Sequence, residues 1–368
     1  MLERTGHRVA TYYRSNREIN ERSLVGRLTL VPKVIWSEDT RREFAEILFH
    51  QKPQVVHIHN TFTMISPSIY SACREARIPV VQTLHNYRLL CPSATLFRQG
   101  HVCEECLDHS LWRGVLHGCY RDSRAATSVV ALMLAVHRRR NTWTKDVNYF
   151  IALSEFSRRE FIQGGIAADQ IVVKPNFVHP DPGCGDRDGE YALFIGRLSP
   201  EKRVHTLLAA WERLRVHIPL FIVGSGPQRM FLETYAKQAG LSDLRFLGQL
   251  PREEVMATLK RARCLIFTSE WYENFPVTLA EAFACGVPVV CSRLGAMREI
   301  VADGRTGLHF TPGDIEDLAQ KAEWVWTHPE QTAEMGKEAR REYEAKYTAE
   351  KNYSLLMEIY ERAIASSG

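Results

Sequence analysis

The sequence predicts an α/β protein of two domains, each a parallel sheet covered by helices on both faces. Short β-branched runs alternate with longer amphipathic runs along most of the chain, and a polar, turn-rich stretch divides the series in two. The length of 368 residues, with 45% hydrophobic, exceeds what one ordinary core takes up. In the first half the strand-like runs are Val9–Tyr13, Val55–His59, Pro79–Leu84, Tyr149–Ala152 and Ile171–Lys174. In the second they are Tyr191–Gly196, Pro219–Gly224, Leu244–Leu247, Cys264–Phe267 and Val287–Cys291. Between the halves, His179–Gly189 is rich in Pro, Gly and Asp and reads as the linker. From about Asp314 the pattern turns wholly helical, with Trp324, Trp326, Tyr343, Tyr347, Tyr353 and Tyr360 available to pin those helices onto the sheets. The expected division is residues 1–178, then 190–345, then a helix over 346–368 that packs back toward the first domain.

Composition narrows the functional class. A formal net charge of +4 favours an anionic partner such as a nucleotide, a phosphate or an acidic lipid, and is too weak to argue for nucleic acid. No run approaches the roughly 18 to 20 apolar residues of a membrane-spanning helix, and the first residues do not form a signal peptide, so a cytoplasmic location is expected. The nine cysteines, several inside strand-like runs (Cys264, Cys285, Cys291), suit reduced thiols in a core. A doubly wound domain ordinarily opens with a buried strand and a glycine-bearing turn. This chain opens on Leu2–His7, which reads as the end of a helix, so the expectation is that the front elements are lacking, through fragmentation, a misassigned start or a loss the fold tolerates, with a neighbouring strand edge laid bare.

Three segments of the second half carry the chemistry. Gly196-Arg197-Leu198-Ser199-Pro200-Glu201-Lys202 follows a strand; Ser199 is a good N-cap and Pro200 a good first helical residue, so free amides and the positive dipole end face the strand edge. Arg197 and Lys202 add a fork and a point charge for a diphosphate, and Gly196 admits the ligand to the backbone. A solvated, capped helix start is the plain alternative. Ser269–Glu281 repeats the strand–loop–helix pattern: Pro276 starts a helix, Glu273 stands before it and Glu281 within it, and a carboxylate is the usual partner of vicinal sugar hydroxyls. Dipole stabilisation alone would also put glutamates there. Val223-Gly224-Ser225-Gly226-Pro227 departs from a dinucleotide fingerprint, with Arg229 at the third glycine position, and reads as a tight turn lining a nucleotide pocket. Phe246–Gln249 ends another strand, where backbone groups are placed to read a base edge or simply close the strand.

In the first half, His59-Asn60 and His85-Asn86 end two buried strands, where ligands sit in open α/β sheets, whereas His57 reads as a structural histidine. The irregular stretch over about 88–121 holds Cys103-x-x-Cys106 with Cys91 before and Cys119 after. These fit a four-thiolate zinc site that orders the loop, with His101, His109 and His117 as substitutes; unliganded thiols are the alternative. Four thiolates leave no open position, so such a zinc is structural. Arg138-Arg139-Arg140, closing an apolar helix over Ala125–Val136, is either a solvated helix end or a resting point on anionic lipid, a peripheral membrane contact.

Taken in order, Gly196–Lys202, Val223–Pro227 and Glu273–Glu281 resemble the retaining, nucleotide-sugar-dependent glycosyltransferases of GT-B fold (glycosyl transferases group 1), many of which build cell-wall and capsular polysaccharides. The resemblance runs through nearly the whole chain and implies two facing Rossmann-like domains with a C-terminal helical tail. It implies that Arg197 and Lys202 hold the donor diphosphate, Glu281 the ribose, and Glu273 the transferred sugar, helped by Asn274, Phe275, Pro276 and Thr278, with Gly196, Gly224 and Gly226 beside the donor. It places His85 near the donor sugar and His59, Asn60 and Ser154 on the acceptor side, Ser154–Ser157 starting a helix by the cleft.

The activity implied is transfer of a hexose from a UDP- or GDP-linked donor to a saccharide or lipid-linked acceptor. The leaving diphosphate is stabilised by Arg197, Lys202 and two helix starts, with no cofactor required for catalysis. Domain closure would bring His85 to the donor. Two rivals stand beside it: a truncated or catalytically impaired nucleotide-sugar-binding protein, and a nucleotide-sugar epimerase.

Overall fold

Nine of the ten strand-like runs become strands in the computed structural model, which describes residues 1–15, 24–108, 110–185 and 189–366. In the first half β1 (Val56–Ile58) and β2 (Val80–Thr83) are followed by a two-residue pair, β3 (Phe97–Arg98) and β4 (His101–Val102), then by β5 (Tyr149–Ala152) and β6 (Ile171–Val173). The main sheet runs β1-β2-β5-β6, every pair parallel, and β1 lies at one edge. The second half supplies β7 (Tyr191–Ile195), β8 (Leu220–Val223), β9 (Leu244–Gly248), β10 (Ala262–Phe267), β11 (Val289–Ser292) and β12 (Gly307–Phe310), in the order β12-β11-β10-β7-β8-β9, also parallel. Burial explains the composition: β2, β11 and β12 are buried at every residue, because helices cover both faces of a parallel sheet.

One expected strand does not form. Among the described residues Val9–Tyr13 pairs with no strand, and this segment and its neighbours reach the helix Glu38–Gln51 instead: Arg8 to Gln51, and Tyr12 with Arg14 to Glu43. Conversely, β12 and the β3–β4 pair escaped the sequence reading. β12 is only four residues long, and its neighbour in the sheet is what makes it a strand.

The chain divides into two compact units. One comprises Met1–Arg98, Cys103–Lys174 and Tyr353–Gly368; the other comprises Gln99–Val102 and Pro175–Asn352. In the first unit, Leu356, Ile359 and Ala363 of the last helix (Ala349–Ala365) pack on Val81 and Ile151 of the sheet, with Tyr360 half-buried beside them. In the second, Val204, Leu207, Leu208 and Trp211 from one helix and Leu318, Ala319, Ala322 and Val325 from another close over β7, β8 and β10, flanked by Trp324 and Trp326. Each fully buried leucine in that face contributes about 2 kcal/mol through the apolar surface it removes from water.

Candidate functional site

The order of the second sheet fixes where a site can form. The chain runs β7-β8-β9 to one side and then returns to place β10 against the other side of β7, so the loops leaving β7 and β10 diverge and open a crevice at that switch point. Those two loops are the Gly196–Lys202 and Ser269–Pro276 segments. They are tied together: the Thr268 hydroxyl donates to the Lys202 carbonyl at 2.7 Å, and the Glu270 amide to the Glu201 carbonyl at 3.1 Å.

Lys202 and Glu273 meet here. The Lys202 ammonium stands 2.5 Å from Glu273 Oε1, with the Phe267 ring at 4.9 Å and the Trp271 ring at 5.9 Å. The same carboxylate oxygen accepts from Ser269 Oγ at 2.9 Å and Trp271 Nε1 at 2.7 Å. Glu273 is therefore a buried carboxyl group whose one oxygen receives three donors, so burial leaves it well partnered. Behind the pair, Arg203 bridges to Glu270 at 2.8 Å. Ser269, Trp271, Arg203 and Glu270 were not singled out from the sequence: the first two act through contacts within one folded loop, and the Arg203–Glu270 pair through a contact across two loops.

The first helix start differs from expectation. Ser199 does not cap a backbone amide; its hydroxyl donates to Glu201 at 2.5 Å, Pro200–Lys202 forms a single 3₁₀ turn, and the α-helix begins only at Val204. Arg203 adopts φ +50°, a left-handed conformation that interrupts helical continuity. Arg197 lies exposed on the same loop. The second helix spans Val277–Ala284 with Pro276 as its N-cap, so it begins one position later than the sequence suggested. In that segment Phe275 is buried edge-on against Tyr347, Thr278 is half-buried, and Asn274 Oδ1 is shut from solvent with no hydrogen-bond donor among the described residues. Glu281 sits 3.6 Å from Arg252, and burial pushes its carboxyl above the ordinary value.

Gly224 and Gly226 are required by backbone packing. A Cβ on Gly224 would stand 1.9 Å from the Gly196 carbonyl oxygen, and one on Gly226 would stand 2.3 Å from the Leu198 carbonyl oxygen. The loop after β8 is thereby pressed onto the loop after β7, with Leu198 donating its amide to Ser225 at 3.0 Å.

In the first unit the two His-Asn pairs share one design. Asn60 accepts from the Phe62 amide and Asn86 from the Arg88 amide, each at 3.0 Å, so each asparagine turns the chain at a strand end and leaves its histidine in place. His59 Nδ1 and His85 Nε2 are 2.9 Å apart. His57 is held at both nitrogens, by Tyr360 at 2.6 Å and Thr83 at 2.8 Å, and burial drives it down to about 3. Lys174, at the end of β6 and unnoticed in the sequence, is lowered by burial to about 8 and depresses all three histidines. A cavity of about 30 Å³ opens beside His59, His85 and Arg88. Ser154 is buried, and its hydroxyl joins Ser157 in a capping box.

The zinc expectation is not met by the geometry: among the described residues, no three His, Cys, Asp or Glu side chains gather as a metal site. The Cys91 and Cys106 thiols hydrogen-bond each other, Cys103 lies against the Arg98 guanidinium, and Cys119 is half-buried nearby. His117 is 3.5 Å from Glu105, His101 is exposed, and His109 lies outside the described residues. The basic run over 138–140 is also split: Arg138 turns inward to the Leu89 carbonyl at 2.8 Å, and Arg140 covers the Trp36 ring.

Two parallel-sheet units, the second with a cation–carboxylate pair at its switch point, define the class of GT-B proteins. The sequence profile of glycosyl transferases group 1 matches residues 185–342, and that of glycosyltransferase family 4 matches residues 1–182. The chain belongs to the GT-B glycosyltransferase family. It is 32% identical over 161 residues to a D-rhamnosyltransferase of Pseudomonas aeruginosa, covering 43% of this chain and 42% of the relative. It is 37% identical over 153 residues to a glycogen synthase of Mycobacterium tuberculosis, covering 40% and 37%. The chain thus spans less than half the length of these two relatives. Among solved structures, Anabaena HepE in complex with UDP superposes with TM-score 0.64 at 21% identity, covering 92% of this chain and 83% of that one. Sucrose-phosphate synthase from Thermosynechococcus elongatus superposes with TM-score 0.66 at 19% identity, covering 95% and 82%. These likenesses establish the fold.

Proposed function

We propose that the chain transfers a hexose, with retention at the anomeric carbon, from a nucleoside-diphosphate sugar to a saccharide or lipid-linked acceptor. The observation that carries this reading is the meeting of Lys202 and Glu273 at the switch point of the second sheet, which sets a cation for a diphosphate beside an acceptor for sugar hydroxyls. Arg197, exposed on the same loop, supplies a second cation to the leaving diphosphate, and the unsatisfied Asn274 Oδ1 gains a donor when a hydroxyl arrives. Glu281, beside the same helix start, takes the ribose. The neighbouring fold determined with UDP supports a uridine donor, and GDP-linked sugars are the other class to test.

The test is incubation of purified protein with UDP- and GDP-hexoses and simple saccharide or polyprenyl-phosphate acceptors, following nucleotide release and the anomeric configuration of the product by NMR. Release with transfer and retention supports the proposal; an inverted product refutes retention. Tight donor binding without turnover makes the chain a nucleotide-sugar-binding protein, and an isomerised sugar without acceptor makes it an epimerase.

Two further expectations stay as proposals. A structural zinc on Cys91, Cys103, Cys106 and Cys119 rests on the sequence spacing alone, a Cys-x-x-Cys pair with one cysteine on either side. One equivalent of zinc by elemental analysis supports it, and none removes it. Peripheral membrane contact rests on Arg139 alone of the basic run, and sedimentation with anionic vesicles decides it. Among the described residues no helix is long and apolar enough to cross a membrane.

A further inference from the structure

His59 follows β1 by one residue and His85 follows β2 by two, on adjacent parallel strands, and their rings meet at the strand ends with 5.1 Å between centroids. His57, two residues before His59 on the same strand, stacks on His59 with centroids 4.5 Å apart and planes inclined 23°. His57 cannot turn, because both its nitrogens are bound to hydroxyls, Tyr360 at one edge and Thr83 at the other. It is a fixed platform. His59 lies flat on that platform and offers Nδ1 to Nε2 of His85 at 2.9 Å.

One proton must lie between those two nitrogens, and tautomer preference decides which ring carries it. An isolated neutral imidazole favours the Nε2–H form. If His85 donates Nε2–H to a bare Nδ1 on His59, both rings keep that form; the reverse arrangement forces both into Nδ1–H. We propose that His59 is a positioning residue, selecting the His85 tautomer whose free Nδ1 accepts a hydrogen bond from a substrate hydroxyl. The proposal rests on the reading of His85 as the residue that meets the donor sugar.

The surroundings keep the pair neutral. His57 stacks on His59, Arg88 lines the same cavity as both rings, and burial together with the Lys174 ammonium lowers the pKa of both imidazoles and so opposes an added proton. A proton on the pair would convert the His85 edge from acceptor to donor and would remove the distinction that His59 maintains.

The experiment compares wild type with H59A, H59N, H59Q, H85A and the double variant H59A/H85A. An asparagine amide occupies the place of Nδ1, whereas a glutamine amide occupies the place of Nε2, so only the former can receive the His85 proton. Expected are a kcat about 10-fold or more lower in H59A and H59Q, recovery to within about 3-fold in H59N, and a double variant no slower than H85A. Equal rates in H59N and H59Q, or additive losses in the double variant, overturn the proposal. Long-range ¹H–¹⁵N NMR of the imidazoles reads the tautomer without any turnover: His85 as Nε2–H in wild type and H59N, and a mixed population in H59Q. His85 as Nδ1–H, or a tautomer indifferent to residue 59, also overturns it. Absence of transfer activity with the expected NMR pattern would refute the glycosyltransferase reading and leave the His59–His85 relationship standing. Thermal unfolding of each variant separates misfolding from mispositioning.

Discussion

The ammonium of Lys202 lies 2.5 Å from a carboxylate oxygen of Glu273, across 71 residues of sequence, and Ser269 and Trp271 point donors at the same oxygen. A diphosphate that takes Lys202 must draw it from Glu273, so the two residues respond differently to nucleotide and to nucleotide sugar. Lys202→Ala is expected to weaken UDP and UDP-sugar binding alike, by about 10-fold or more, for the loss of a charge-assisted hydrogen bond of roughly 1.5 to 3 kcal/mol. Glu273→Gln is expected to bind UDP at least as tightly as wild type and the sugar donor several-fold more weakly. Calorimetry with both ligands checks this, and equal losses for UDP and UDP-sugar in the glutamine variant would count against it.

The glycines of the loop after β8 give a stability prediction. Gly224 has φ +135° and no room for a Cβ, which would stand 1.9 Å from the Gly196 oxygen; Gly240 has φ +69° and open space. Gly224→Ala should therefore lose about 3 kcal/mol or more, or fail to fold, whereas Gly240→Ala should lose about 1 kcal/mol from backbone strain alone. Urea unfolding of the two variants measures the difference, and similar midpoints would remove the packing argument.

Glu281, proposed above to take the ribose, is a residue whose burial costs stability. Burial raises its carboxyl pKa, which Arg252 at 3.6 Å only partly offsets, so the folded state binds the proton more tightly than the unfolded state. A group of this sign lowers stability above its folded pKa, and the penalty disappears below the unfolded value. Glu281→Gln is thus expected to be as stable as wild type or more so at pH 7.5, by up to about 1 kcal/mol, with the gap closing near pH 4. The same variant should bind donor more weakly. Thermal scans across that pH range, read beside calorimetry, test both halves.

His57 sets a pH dependence in the first unit. Its pKa falls from 6.5 to about 3 on folding, so between those values the unfolded chain takes up a proton that the folded chain refuses. Stability is therefore lost as pH falls from about 6.5 toward 3. His57→Gln should flatten that loss while keeping a polar partner for Tyr360. Urea titrations at pH 7 and pH 4.5 decide it: an unchanged difference between the two pH values would mean that His57 is not the group responsible.

Much of the fold is written in local pattern. Runs such as Tyr149–Ala152 and Leu220–Val223 announce buried parallel strands because a strand covered on both faces must be apolar throughout. The loops bearing Lys202 and Glu273 stand out as candidates because ligands in open α/β sheets bind beyond strand ends. The short β12 and the unpaired Val9–Tyr13 were misjudged for one reason: a strand exists only if a neighbour supplies its hydrogen bonds, and pairing is not a local property.

The amino-acid order by itself determined the two-sheet architecture, the strand-end position of the candidate site residues and the family to which the chain belongs. Only the tertiary structure decided that Lys202 is paired with Glu273, that Ser199 serves Glu201 rather than a helix start, that Arg138 turns inward, and that Lys174 stands among three histidines. Those are contacts between segments far apart in the chain. They depend on strand order and on burial, which changes the energy of a charge by removing water from around it, and neither quantity can be read from neighbouring residues.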